Sequence, residues 1–150
     1  MKPFVFKLKI ALDIKLREEE LTKEVLQKAT KAYRQNLAFL DKLKSRLVEI
    51  QDMLRGKQVK TIYVLEVKNY LDYIPVLNDR IKQQENVTEQ SRLEMEQIRK
   101  KLLEIMKKRK VLEKLKTRHY QEYLKELLLK EQKQIDEMAT IGFIHKDSAV

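Results

Sequence analysis

The 150 residues carry 33 Lys and Arg against 23 Asp and Glu, a formal charge of +10, with two Gly, two Pro, no Cys and no Trp. That composition excludes a disulfide framework, a thiolate metal site and a cysteine nucleophile, and its scarcity of helix breakers selects long helices. The longest run free of Asp, Glu, Lys and Arg is Met138–His145, far short of the roughly 20 apolar residues that span a bilayer.

Taken in chain order, the N-terminal apolar residues are interrupted by Lys2, Lys7, Lys9, Asp13 and Lys15, so no signal-peptide core is expected there. Pro3, Gly56, Pro75 and Gly142 leave two uninterrupted blocks, Phe4 to Arg55 and Val76 to Ile141. In the first block, Thr22, Leu26, Ala29, Tyr33, Asn36, Leu40, Leu43, Leu47, Ile50 and Leu54 are separated by alternating steps of four and three. That spacing keeps one stripe against a partner helix in a left-handed supercoil. Asn36 interrupts the stripe and has two readings, a tolerated polar seam residue or a marker that disfavours other registers.

Gly56 is expected to end the first helix by adopting positive φ, with Arg55 at the negative end of the helix dipole. Beyond it, Ile62, Leu65, Asn69 and Tyr73 suggest a brief connector helix. Pro75 suits the first turn of the next helix, where a missing amide proton costs nothing. The second block resumes the seam with Ile74, Leu77 and Ile81, then Met95, Ile98, Leu102, Ile105 and Leu112. Between these runs the in-phase positions are Gln84, Thr88 and Ser91, a polar stretch expected to weaken packing or to be completed by another chain. Past Leu112 the stripe drifts to Leu115, Tyr120, Tyr123 and Leu127.

The expected fold class is all-α, a long two-helix antiparallel coiled-coil hairpin with a short helical connector. The expected organisation is one coiled-coil domain: a helix over about 4–55, a connector with a short helix over about 57–74, a helix over about 76–140, and a flexible tail over 141–150.

Catalytic chemistry is not written into this pattern. His119 and His145 are far apart and neither has a second His at the four-residue spacing of a helical zinc site. The pair Gly56–Lys57 lacks the upstream Gly of a phosphate loop, where Gln51 stands, and Gln58 replaces the magnesium-binding Ser or Thr. Carboxylates such as Glu18, Glu19 and Glu20 fall on an open helix without the apolar pocket that tunes an acid or base. No enzyme activity, cofactor, metal or small-molecule substrate is expected. Asn86, Val87 and Thr88 spell a glycosylation acceptor, but within a helix.

Charge is the stronger signal. From Arg99 to Arg118 ten basic residues face two acids, Glu104 and Glu113. This is either a solvated basic face or a docking surface for an acidic partner. Nucleic acid is disfavoured: the cations encircle the helix, and no aromatic stacking platform accompanies them.

Several segments together resemble the flagellar FliJ family. They are Asn69–Tyr70–Leu71–Asp72–Tyr73–Ile74–Pro75–Val76–Leu77 with Ile81 and Gln83; Leu112, Glu113, Leu115 and Arg118; and Glu131–Gln132–Lys133–Gln134–Ile135–Asp136–Glu137. The N-terminal Phe4, Phe6, Leu8, Leu12, Asp13, Lys15 and Arg17 share the family's look. The resemblance implies a non-catalytic central stalk of the hexameric flagellar export ATPase that promotes its assembly and activity and links it to the membrane export gate, as a cytoplasmic protein peripheral to the inner membrane. It implies ring contacts at Phe4, Phe6, Lys107, Arg109, Lys114, Arg118, Gln132, Lys133, Asp136 and Glu137, and gate contacts at Tyr73, Leu77, Arg80 and Gln84. Export chaperones are a further partner class. An injectisome stalk protein, or a generic coiled-coil or nucleic-acid-binding rod, is the alternative reading.

Overall fold

The computed structural model describes residues 2–56 and 64–148, with side chains to residue 147. Among these residues every regular element is helical: α1 spans Lys9–Arg55 and α2 spans Val64–Ser148. The all-α helical hairpin expected from the spacing is the fold found. Internal packing divides the chain into two compact units. Unit 1 comprises Met1–Glu18 with Glu104–Val150, and unit 2 comprises Glu19–Leu103.

Element boundaries differ from expectation in four places, each for a local reason. α1 starts at Lys9 rather than near Phe4, because the preceding residues alternate: Phe6 is 5% exposed and Val5 74%. That period of two is an extended segment laid on a surface. A turn then leads into the helix, with the Lys9 amide donating to the Phe6 carbonyl at 3.1 Å. At the other end of α1, the Gly56 amide donates to Asp52 at 2.9 Å. No described glycine has positive φ, so the helix ends without the left-handed cap expected at Gly56.

The expected connector helix is not separate. Residues 57–63 lie outside the described residues, and Val64–Ile74 form the opening turns of α2, which runs through Pro75. A proline inside a helix removes one i→i−4 bond, here to the Leu71 carbonyl, at a cost of about 3 kcal/mol. Packing opposes that cost, because Tyr70, Tyr73 and Ile74 lie against a core of Leu40, Ile50, Leu77 and Ile81. Leu77 and Ile50 are fully buried, and each such side chain contributes about 1.5–3 kcal/mol. Finally, the residues expected as a tail from 141 continue α2 to Ser148; residues 149–150 lie outside the described residues.

In unit 2 the helices are antiparallel, with Asn36 bonded to Ser91 and Lys44 Nζ lying 3.6 Å from Glu85. The α1 positions Thr22, Leu26, Ala29, Tyr33, Asn36, Leu40, Leu43, Leu47, Ile50 and Leu54 are all buried or half-buried. So are the α2 positions Ile74, Leu77, Ile81, Gln84, Thr88, Ser91, Met95, Ile98 and Leu102. The polar stretch is closed from within. Gln84 Nε2 donates to the Asn36 carbonyl at 3.0 Å, and the Thr88 hydroxyl donates to the Gln84 carbonyl at 2.7 Å. No second chain is required to satisfy these groups.

Unit 1 is built differently. Leu12 and Ile105 are buried and Leu112 is half-buried, a short apolar seam within this unit. Beyond it the segment before α1 covers α2 with aromatic rings. Phe4 lies 5.2 Å from Tyr120 and 5.6 Å from Tyr123, and Phe6 lies 5.7 Å from His119. The Tyr123 hydroxyl donates to the Lys2 carbonyl at 2.8 Å. Thus the drift of the stripe to Tyr120 and Tyr123 is matched by a covering segment that is not helical.

Candidate partner-binding surfaces

The side chains proposed for the ATPase ring all fall in unit 1, and those proposed for the export gate all fall in unit 2. Within unit 1 they divide by exposure. Lys107, Lys114, Arg118, Gln132, Lys133, Asp136 and Glu137 are exposed, Phe4 and Arg109 are half-buried, and Phe6 is buried. The two phenylalanines face α2, so their rings are committed to holding the N-terminal segment in place.

Arg109 occupies a seam-phase position between Ile105 and Leu112, and its guanidinium donates to Glu113 at 3.0 and 2.9 Å. A charge at half-buried depth requires such a partner, since unpaired burial is costly. Its role is therefore internal as well as electrostatic, and it contributes less to the outward field than its neighbours.

The outward field comes from Lys107, Lys110, Lys114 and Arg118. Steps of three, four and four residues place them on one side of α2, opposite the seam residues Ile105 and Leu112. All four are exposed. Arg118 sits 3.6 Å from Glu122, whereas Lys107, Lys110 and Lys114 have no ion pair among the described residues. A shallow groove of about 330 Å³ is lined by Lys110, Glu113, Lys114, Thr117, Arg118 and Gln121. Its one carboxylate, Glu113, is already bonded to Arg109. What this face offers chemically is recognition of anionic groups with little competition from its own acids.

Further along α2, apolar residues stand in solvent: Leu128 is 63% exposed, Ile135 64% and Met138 72%. Steps of seven and three put them on one face. No α1 residue belongs to this part of unit 1 beyond Lys9–Glu18.

The proposed gate stripe does not present four side chains together. Leu77 is fully buried in the core with Leu40, Ile50 and Ile81, and the Gln84 amide is bonded to the Asn36 carbonyl. Only Arg80 is exposed, with Tyr73 half-buried. The cause is the seam itself: a step of four, three and four from Tyr73 follows the heptad, so Leu77 and Gln84 are drawn inward. Sequence reasoning also missed the aromatic clasp of Phe4, Phe6, His119, Tyr120 and Tyr123. Its signal was the Phe–Val–Phe alternation after Pro3, a strand-like period at the edge of a helical block.

Among the described residues no group of three or more His, Cys, Asp or Glu is placed to hold a metal. No described helix is long and apolar enough to cross a membrane.

A family model described as flagellar FliJ protein matches residues 4–148. The chain belongs to the FliJ family. Comparison with curated proteins and with solved structures returned no match. As a FliJ-family chain it is a component of flagellar protein export, in a family that is not enzymatic. The match takes in both units, so the aromatic clasp and the basic face of unit 1 lie inside the family region just as the seam of unit 2 does.

Proposed function

We propose that this protein is the central-stalk-like component of the flagellar export ATPase: unit 1 seats in the ATPase hexamer, and unit 2 contacts the export gate. The observation that carries this reading is the family match over residues 4–148. Three features of unit 1 support it. A row of exposed cations is free to meet carboxylates, α2 continues past the part of α1 in its unit, and its apolar residues there stand uncovered.

The mechanism is non-catalytic. A hairpin inside a ring of identical subunits makes different contacts with each, and it favours whichever nucleotide state it binds best. A ligand shifts a conformational equilibrium only by its differential affinity for the states, so the hairpin must distinguish them. At the gate, the surface narrows to Arg80 and the exposed part of Tyr73.

The test is ATP turnover by the purified export ATPase with and without this protein, followed by the triple variant K107E/K110E/K114E. Stimulation by the native protein that is lost in the variant supports the reading. Absence of stimulation by the native protein removes it. Because the contact is ionic and exposed, stimulation should also weaken as salt shortens the screening length from about 10 Å at 0.1 M to about 3 Å at 1 M.

A further inference from the structure

The polar stretch of unit 2 has an arrangement that a merely tolerated set of seam residues would not need. Asn36 Nδ2 donates to the Ser91 hydroxyl, and Ser91 in turn donates to the Val87 carbonyl at 3.0 Å. The Ser91 oxygen thus accepts one hydrogen bond and donates one. The Thr88 hydroxyl, one turn before Ser91, stands 3.4 Å from the Asn36 backbone carbonyl, and Gln84, a further turn before, donates to the same oxygen at 3.0 Å. Three α2 side chains converge on one α1 residue. Thr88 is only 7% exposed, so its hydroxyl is satisfied by protein.

A slip of α2 by one heptad, in either direction, removes this match. In one direction Asn36 comes opposite Met95 and Ile98; in the other it comes opposite Ile81 and Gln84. In the first case the Asn36 amide loses its partner; in the second Gln84 takes the place of Ser91 opposite it, while Ser91 and Thr88 move to Ala29 and Tyr33. An unpaired buried polar group loses its hydration without replacement. The aliphatic seam positions are nearly interchangeable only under the second slip, where Leu40, Leu43 and Leu47 would meet Ile81, Leu77 and Ile74; under the first, Leu43, Leu47 and Ile50 would meet Ser91, Thr88 and Gln84. The aliphatic pattern alone therefore opposes the first slip and leaves the second open.

We infer that Asn36 and Ser91, with Gln84 and Thr88 around them, form a register lock that holds α1 and α2 of unit 2 at one axial alignment. A single buried Asn fixing register in a coiled coil is a known device, and here a half-buried Asn acts across a hairpin within one chain. The inference does not depend on which partner the protein binds.

The absence of cysteine makes the test direct, since spin labels attach only where cysteine is introduced. Exposed Glu24 and Lys82 are replaced, E24C/K82C, in the full-length protein. With Ser91 opposite Asn36, Lys82 lies opposite Ser45, so the labels are offset by about twenty residues along the axis, roughly 30 Å. A one-heptad slip changes this separation by about 10 Å. The native background should give one distance near the longer value. In A29N/N36L the amide is moved one heptad towards the N-terminus, opposite Ile98 in the native register, and it regains Ser91 only if α2 slips. The expected result is a dominant distance about 10 Å shorter, with helicity by circular dichroism unchanged. If that variant loses its helical signal, N36L alone decides: a second distance about 10 Å from the native one supports the lock. An unchanged single distance in helical A29N/N36L, or in N36L where that variant decides, overturns it.

Discussion

Two lengths of the same helix α2 obey different rules. In unit 2, α2 is paired along a seam with α1, its in-phase residues are buried or half-buried, and its polar residues are satisfied across the pair. In unit 1, α1 supplies only Lys9–Glu18 against Glu104–Ser148, and α2 side chains such as Leu129 and Phe143 are 68% and 66% exposed. The lesson is that helix continuity and helix packing are separable. Good helix formers carry the secondary structure on, while the energy that holds the fold comes from the paired length. What unit 1 leaves uncovered, both cations and aliphatics, is what a partner has to work with.

Substitutions in the two units test this contrast. The largest expected effect is Leu77→Ala in unit 2. It removes a fully buried side chain from the core of Leu40, Ile50 and Ile81, and should cost about 2–5 kcal/mol in urea unfolding followed by circular dichroism. The matched change in unit 1, Leu128→Ala, touches a side chain 63% exposed and should stay within about 0.5 kcal/mol. Equal losses at the two sites would erase the distinction between the units.

Next in size is Phe6→Ala. Phe6 is buried against the His119 ring, and with Phe4 it holds a non-helical segment over this part of α2. Its loss should release the segment around the Phe6–Lys9 turn locally. Hydrogen exchange at the Lys9 and Leu12 amides, which bond to Phe6 and Leu8, should accelerate by about tenfold or more, while unit 2 amides keep their protection. Uniform acceleration throughout would mean that the clasp supports the whole fold.

Smaller still is the effect on stability of reversing the exposed lysines. K107E/K110E/K114E should shift unfolding by no more than about 0.5 kcal/mol, because none of the three has an ion pair among the described residues. Loss of ATPase stimulation with intact stability would separate a binding role from a structural one. The smallest expected effect concerns Glu89. Its carboxylate accepts hydrogen bonds from Arg92 at 2.6, 3.0 and 3.2 Å, and these hold its pKa below the usual glutamate range. The sign follows: a depressed folded pKa adds stability above the unfolded pKa, and that stability is lost as pH falls through the folded value. The pair is exposed, so the contribution is slight. An NMR titration of Glu89 should move up to the ordinary value in Arg92→Gln.

Much of the fold was legible because the heptad is a local code. Every seam-phase position from Thr22 to Leu54, and from Ile74 to Leu102, lies on the side that becomes covered. Three features were not legible. Pro75 reads as a helix start by local rules, yet the packing of Tyr70, Tyr73 and Ile74 carries the helix through it. The N-terminal segment lies within a block free of breakers, yet Phe4 and Phe6 find rings more than a hundred residues away. Leu77 and Gln84 read both as seam and as gate residues, and only the contacts show that Leu77 is fully buried and that the Gln84 amide is bonded to Asn36.

The order of residues alone makes this protein helical, pairs its helices in a heptad seam and gives α2 one strongly basic stretch, because each of these is a matter of composition or of spacing along one helix; its place in the FliJ family rests on the match over residues 4–148. Only the tertiary structure decided which seam residues are spent on the core and which remain for partners, where α2 truly begins, and that Asn36 meets Ser91. Those are contacts between residues distant in sequence, and their free energy depends on what is desolvated together, which no periodicity along a single chain specifies.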